Sequence, residues 1–263
     1  MNIYGIVMAG GIGARMQAGE AGEPLPKQFL TLGGKPILIR TLTGMLSYEG
    51  FSGLVVTCPA EWQERTEELL HRFLPDGSSR CPLAVTAGGQ ERNETLTKAL
   101  AYLDQAYGLQ DEDLVVTQDA VRPFLTRQMI AASVEAASVS GAAQAVIPAT
   151  DTIVESRDGA AVSGIPQRRF LYQVQTPQTF RARRFQALYR TLGEEEKAAL
   201  TDACSLFVLR GEKVSLVPGA RENLKITYPE DLAVAEALLA RQEGAPGVSP
   251  GRNSGHTPCR RAE

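Results

Sequence analysis

Two histidines and four cysteines are all that 263 residues offer for soft-metal or disulfide chemistry. Cys58, Cys81, Cys204 and Cys259 are widely spaced, form no C-x-x-C pair and have only His71 and His256 to assist, so neither a zinc site nor a disulfide framework is indicated. Long apolar runs are missing too. The first, Ile3 to Ala9, is far short of a membrane span, and the first basic residue of the chain, Arg15, comes after it, so the charged start of a secretory signal is absent. Nor is there a surplus of one charge. The 27 basic and 30 acidic residues leave a formal net charge of −3, which excludes a protein whose main task is gripping nucleic-acid backbone or an anionic membrane. The expectation is a cytoplasmic protein with no nucleic-acid or membrane partner, in which an anionic ligand must meet local positive charge.

What is present is a foldable chain, 43% hydrophobic and 22% charged. Short β-branched runs at Ile3–Val7, Leu54–Cys58, Leu83–Thr86, Leu114–Thr117, Ala145–Ile147 and Val214–Val217 alternate with helical patterns. That rhythm predicts an α/β fold with a mostly parallel, Rossmann-like sheet. Leu96, Ala99, Leu100 and Leu103 form one helical core face, and Leu38, Leu42, Met45 and Leu46 another. A last helix is expected after Thr227-Tyr228-Pro229-Glu230, a capping-box pattern with proline near the start, turning Leu232, Ala235 and Leu239 inward. Residues 1–243 read as one domain. Residues 244–263, nine of them Gly, Pro or Ser, read as a disordered tail. Residues 151–180 break the rhythm: Asp151–Glu155 and Leu171–Gln175 alternate like two strands about a turn at Arg157-Asp158-Gly159. They predict either an arm that meets another subunit or an edge hairpin folded back on its own domain.

In an open parallel sheet, ligands bind beyond the carboxyl ends of the strands. The first strand runs into Met8-Ala9-Gly10-Gly11-Ile12-Gly13-Ala14-Arg15-Met16, whose glycines suit a phosphate cradle and equally a tight turn. It is neither a dinucleotide fingerprint, since Met16 stands where the third glycine is required, nor a Walker loop. Pro24-Leu25-Pro26-Lys27-Gln28 offers a lysine on a stiffened loop, which with Arg15 could neutralise a triphosphate. After the third strand, Ala87-Gly88-Gly89-Gln90-Glu91-Arg92-Asn93-Glu94-Thr95 opens a helix whose free N–H groups favour acceptors. Asp119, ending the fourth strand, suits Mg²⁺ beside a phosphate cradle, or else caps a turn or pairs with Arg122. The D-x-D at Asp111–Asp113 precedes its strand and is expected at the wrong end. Gln167–Arg169, Thr176–Gln178, Thr201–Ala203 and Glu222–Thr227 each read alone as loop, cap or solvated charge.

In register, A-G-G-x-G-x-R-M at 9–16, P-K-Q-F-L at 26–30, A-G-G-x-x-R at 87–92, D-A-V-R-P-F at 119–124, Q-T-P-Q at 175–178 and N-L-K-I-T-x-P-x-D-L at 223–232 resemble the polyol-phosphate cytidylyltransferases. The resemblance spans about residues 3–240. It implies a nucleotidyltransferase fold with a projecting β-arm, a homodimer formed through that arm, and Mg²⁺-dependent transfer of a cytidylyl group from CTP to a polyol phosphate. It assigns Arg15 and Lys27 to transition-state charge and Arg168 and Lys225 to the acceptor phosphate. Met8, Ala9, Gly10, Gly11, Gly88, Gly89, Gln90, Arg92 and Thr95 fall to the nucleotide, and Asp119 to the metal. Between branches, Pro24–Phe29, Asp119–Phe124, Asp151–Ser156 and Asp202–Cys204 look more like the one acting on D-ribitol 5-phosphate, with 2-C-methyl-D-erythritol 4-phosphate the alternative acceptor. One departure stands out: Gln118 occupies the place where the family usually has histidine, which puts in doubt an acid or base role for that side chain.

Overall fold

The computed structural model describes residues 1–11, 25–74, 79–89 and 91–244. Strand β1 (Ile3–Met8) leads through a short hairpin, β2 (Thr31–Leu32) and β3 (Lys35–Pro36), to helix α1 (Ile37–Leu46). Then come β4 (Gly53–Cys58), α2 (Gln63–Phe73), β5 (Leu83–Ala87), α3 (Arg92–Tyr107), β6 (Leu114–Asp119), α4 (Arg127–Ser140) and β7 (Ala142–Pro148). The arm leads into β8 (Tyr172–Arg181), followed by α5 (Ala182–Tyr189), α6 (Glu194–Ala199), α7 (Ala203–Leu209), β9 (Ser215–Pro218) and α8 (Pro229–Glu243).

Seven strands form one sheet in the order β5-β4-β1-β6-β8-β7-β9, with β8 antiparallel to both neighbours and every other pairing parallel. β4 and β6 are buried along their whole length and β1 nearly so, which is why they read as unbroken apolar runs rather than alternating ones. A β-carbon at Gly5, in the middle of β1, would collide with the Leu54 and Met45 side chains, so only glycine fits there. One face packs α1, α2 and α4 through Leu38, Leu42, Leu69, Leu70 and Ile130 against Val7, Val56 and Val116. The other packs α3, α5 and α7 through Leu96, Leu100, Leu103, Phe185 and Phe207 against Ile6, Val55, Val115 and Phe180. A smaller cluster, including Leu32, Ile37, Phe124, Ile226, Ala235 and Leu239, fixes α8 and the β2–β3 hairpin at the carboxyl end of the sheet.

Three expectations are adjusted. The alternating run at Leu171–Gln175 is the outer part of a ten-residue strand whose inner part, from Gln175 to Phe180, is buried between β6 and β7. The projecting segment therefore ends near Val174, not Phe180. The turn at Arg157–Gly159 is present, held by Asp158 Oδ1 accepting from the Ala160 and Ala161 amides (both 2.9 Å). Its returning partner is Gly164, in a single bridge to Glu155, and Asp151–Glu155 forms no continuous strand. Helix α8 starts one residue later than its pattern predicts: Asp231 Oδ2 accepts from the Tyr228 amide (2.8 Å) and from Thr227 (2.7 Å). The tail beyond Gly244 lies outside the described residues.

Candidate active site

From β1 the chain winds outward to β4 and β5, then crosses back to β6, so the sheet reverses its winding between β1 and β6. Such a switch point leaves a crevice at the carboxyl ends of the two strands. Met8 and Asp119, the last residues of β1 and β6, are paired across it. The exits are laced together: Ala9 N donates to Thr57 O (2.7 Å), Gly88 N to Cys58 O (2.7 Å) and Ala120 N to Met8 O (3.1 Å).

The β1 and β5 exits converge on Thr95. A β-carbon on Gly88 would stand 3.1 Å from Thr95 Oγ1, and one on Gly10 would stand 3.7 Å away. Thr95 Oγ1 accepts from Gly89 N (2.9 Å), and among the described residues nothing lies within 4 Å of a β-carbon on Gly11. Lys27 opens a 3-10 turn after Pro26, and the buried Gln28 amide next to it donates to Ala9 O (2.8 Å). That bond brings the lysine's loop back to the exit of β1. Gly10, Gly88, Gly89, Thr95 and the Lys27 turn thus gather at one end of the sheet, whereas Arg15 and Gln90 lie outside the described residues.

Asp119 is the electrostatic centre. Its Oδ1 meets Arg92 Nη1 at 2.8 Å, and its Oδ2 meets Lys225 Nζ at 3.1 Å and Arg122 Nε at 3.4 Å. Burial works to raise the carboxyl pKa, but Arg92, Lys225 and Arg122 outweigh it and hold the group well below the usual carboxylate range. It is therefore a buried, fully ionised acceptor. Arg122 is buried as well and donates through Nη1 to Asn223 O (2.7 Å). Arg92, which the resemblance places with the nucleotide, has its guanidinium on Asp119 here.

Beside this group opens a cleft of about 300 Å³ bordered by Arg92, Asp119, Arg122, Thr176, Asp202 and Lys225 among others. Asp202 also caps α7, accepting from Ser205 N (2.7 Å). Neither histidine nor cysteine appears among the described residues that border it. Gln118 is fully buried and donates to Arg122 O (3.3 Å), a bond that braces the turn after β6 without a titrating group. Arg168 is not in its own chain's cleft: it is exposed on the arm, donating to Thr150 O (2.9 Å).

A roomier hollow of about 400 Å³ lies at the opposite end of the sheet, near Asp111 and Glu112. Its arginines are already matched by acids, Arg181 with Glu112 (2.8 Å) and Arg184 with Glu212, so it offers no comparable unmet charge. Asp113 of the D-x-D is buried there, accepting from Asn2 N (2.6 Å) and Gln110 N (2.9 Å). Arg122, Gln175, Thr176 and Asn223 stand around Asp119 as well; their signal in the chain is Arg122 three residues after Asp119 and the amides flanking Thr176-Pro177 and preceding Lys225, each of which taken singly reads as loop polarity.

Residues 3–241 match the family model described as 2-C-methyl-D-erythritol 4-phosphate cytidylyltransferase. The chain is 42% identical over 240 residues to a ribitol-5-phosphate cytidylyltransferase of Lactiplantibacillus plantarum, covering 91% of this chain and 99% of that one. Among solved structures, it superposes on 4-diphosphocytidyl-2C-methyl-D-erythritol synthase from Anaerococcus prevotii with a TM-score of 0.72 and 25% identity, covering 91% and 99% of the two chains. It is similar also to 2-C-methyl-D-erythritol 4-phosphate cytidylyltransferase from Thermus thermophilus (TM-score 0.68, 27% identity, 90% and 98% covered).

Proposed function

The chain belongs to the 2-C-methyl-D-erythritol 4-phosphate cytidylyltransferase family, and from that premise we propose that it transfers a cytidylyl group from CTP to D-ribitol 5-phosphate, giving CDP-ribitol and pyrophosphate. The chemistry is that of a CTP-dependent cytidylyltransferase. The acceptor is read from the curated relative, which covers nearly the whole chain at 42% identity and carries ribitol 5-phosphate in its name. 2-C-Methyl-D-erythritol 4-phosphate is the second reading, supported by the family model itself.

The observation that carries the proposal is the cluster of Arg92, Arg122 and Lys225 on Asp119 at the switch point. Three fixed cations against Asp119 and the nearby Asp202 leave a cleft with surplus positive charge in a chain whose net charge is negative. Such a site attracts phosphate by local field alone. An acceptor phosphate oxygen forms a bond to the α-phosphorus of CTP as the bond from that phosphorus to the bridging oxygen of pyrophosphate breaks. A phosphate monoester dianion is already nucleophilic at neutral pH, so the protein aligns reactants and offsets charge, and needs no base. Lys27 and Arg15 serve the charge growing on the triphosphate, and Gly10, Gly88, Gly89 and Thr95 hold the nucleotide.

Mg²⁺ would be held by Asp119, a buried, ionised carboxylate, together with substrate phosphates, as is common in nucleotide sites; both of its oxygens are ion-paired with Arg92, Lys225 and Arg122 here, so at least one of those cations would give way to the ion. Bound there, the ion would supply neutralisation of phosphate charge.

The arm completes the proposal. Val162, Ile165 and Phe170 are each at least 60% exposed on it, an apolar surface that a second copy would cover. In a homodimer built that way, Arg168 serves the acceptor phosphate in the partner's cleft, which accounts for its distance from its own. Measuring pyrophosphate release across CTP, UTP and GTP with a panel of polyol and sugar phosphates tests the reading. It requires release with CTP and D-ribitol 5-phosphate, and release confined to another nucleotide overturns it.

A further inference from the structure

Four hydrogen bonds close a ring around the end of β6. Asp119 N donates to Thr176 Oγ1 (3.2 Å), Thr176 O accepts from Asn223 Nδ2 (2.8 Å), Asn223 O accepts from Arg122 Nη1 (2.7 Å), and Arg122 Nε returns to Asp119 Oδ2 (3.4 Å). Asp119, Thr176 and Arg122 border the cleft. Asn223 is fully buried and does not, so whatever it does for the reaction it does through its neighbours.

Its amide is fixed in orientation. Nδ2 donates both to Thr176 O and to Gln175 Oε1 (3.2 Å), while Oδ1 has no partner among the described residues. The two donations are what asparagine provides here, and both tie its loop to the strand end beside Asp119.

Lys225 is the residue that profits. It lies two positions further on, in the irregular segment between β9 and α8, where neither a ladder nor a helix sets the backbone. Its side chain is 42% exposed and its long stem has many rotamers, so its aim depends on where its backbone is held. That backbone is pinned on both sides. Asn223 anchors it before, and afterwards Ile226 N donates to Val121 O (3.0 Å), within the turn that joins Asp119 to Arg122. Gln175 grips the same loop again, accepting from Ala220 N (3.2 Å) and donating to Ala220 O (2.8 Å).

We propose that Asn223 is a positioning residue for cytidylyl transfer: through Gln175 and Thr176 it fixes the backbone beneath Lys225, so that the ammonium stands aligned beside Asp119 before the acceptor arrives. The proposal rests on the reading that Lys225 serves the acceptor phosphate. Pre-alignment of this kind removes an ordering cost from the transition state, and displacements of about 1 Å at a remote support can cost as much as 100-fold in rate.

The test is a double-mutant cycle on the full chain, run with whichever of the two polyol phosphates the wild type turns over faster, so that an error in the acceptor assignment leaves it intact. Asn223→Ala is expected to lower kcat/KM for the acceptor about 30-fold when Lys225 is present and less than about 3-fold in a Lys225→Ala background, because the two act as one unit. The KM for CTP stays within about 2-fold, since the nucleotide's glycine loops are untouched by the change. Equal losses in both backgrounds mark a merely structural residue and overturn the proposal. A Lys225→Ala enzyme as active as wild type overturns it differently, by removing the reading beneath it. Gln175→Met, which keeps length and loses both hydrogen-bonding ends, is the second variant. It is expected to show the same dependence on Lys225, and independence overturns the proposal even where Asn223→Ala does not fold.

Discussion

Lys225 Nζ stands 3.1 Å from Asp119 Oδ2, joining the loop before the last helix to the end of a central strand. Neither residue is informative alone: one is a half-exposed lysine, the other a carboxylate that could have capped a turn. Together with Arg92 and Arg122 they form the ion-paired cluster at the switch-point crevice on which the proposed phosphate chemistry rests.

Asp119→Asn keeps the volume of the side chain and removes the one negative charge that, among the described residues, the three cations share. The expected outcome is loss of divalent-cation-dependent turnover by at least about 100-fold in a folded protein, with metal-free pyrophosphate bound more tightly than by wild type. Steady-state kinetics and calorimetry check both. Unchanged metal dependence would place the metal elsewhere.

The same carboxyl makes an acid-stability prediction. Its folded pKa lies below the ordinary carboxylate value of 3.8, so the stability it contributes is present above that value and is lost as pH falls toward the folded pKa. Between about pH 5 and pH 2, wild type should therefore lose stability relative to Asp119→Asn in urea unfolding. Parallel profiles for the two proteins would show that the cation cluster does not depress this group.

Lys27 sits on a turn fastened by Gln28 to the exit of β1, close to where the triphosphate is proposed to lie. Lys27→Ala is expected to raise the barrier by roughly 2–4 kcal/mol, mainly through kcat. A raised KM for CTP with kcat unchanged would make this lysine a tether.

Much of this was legible in the chain. The central parallel strands β1, β4 and β6 are buried on both faces, so their apolar runs were conspicuous, and the helical faces at Leu96–Leu103 and Leu38–Met45 packed as their spacing predicted. Strand β8 was harder to read. Its outer part, Tyr172–Val174, is exposed on both faces, whereas its inner half carries Gln175, Thr176 and Gln178 in buried hydrogen bonds that resemble loop composition in sequence. The charge cluster was hidden for a related reason. Residues 92, 119, 122 and 225 meet only because the β6 turn and the β9–α8 loop are tied together through Ile226 and Asn223. No periodicity encodes such a long-range tie.

If the arm joins two copies, each defect can be complemented by the other. Arg168→Ala and Asp119→Asn should each be severely impaired alone. Mixing them should restore up to about a quarter of wild-type activity, because half of randomly paired dimers hold one intact site of two. Mixed dimers that form without recovering activity would refute delivery of Arg168 to the partner's cleft.

The acceptor is the central claim, and kcat/KM for D-ribitol 5-phosphate against 2-C-methyl-D-erythritol 4-phosphate, measured with CTP under identical conditions, tests it most directly. A site built to hydrogen-bond several hydroxyls rejects an analogue lacking one far more strongly than a methyl-binding site rejects the loss of its methyl. The account predicts a ratio of about 10 or more in favour of ribitol 5-phosphate, equivalent to about 1.4 kcal/mol. Equal values, or a preference for the methylerythritol substrate, would contradict it.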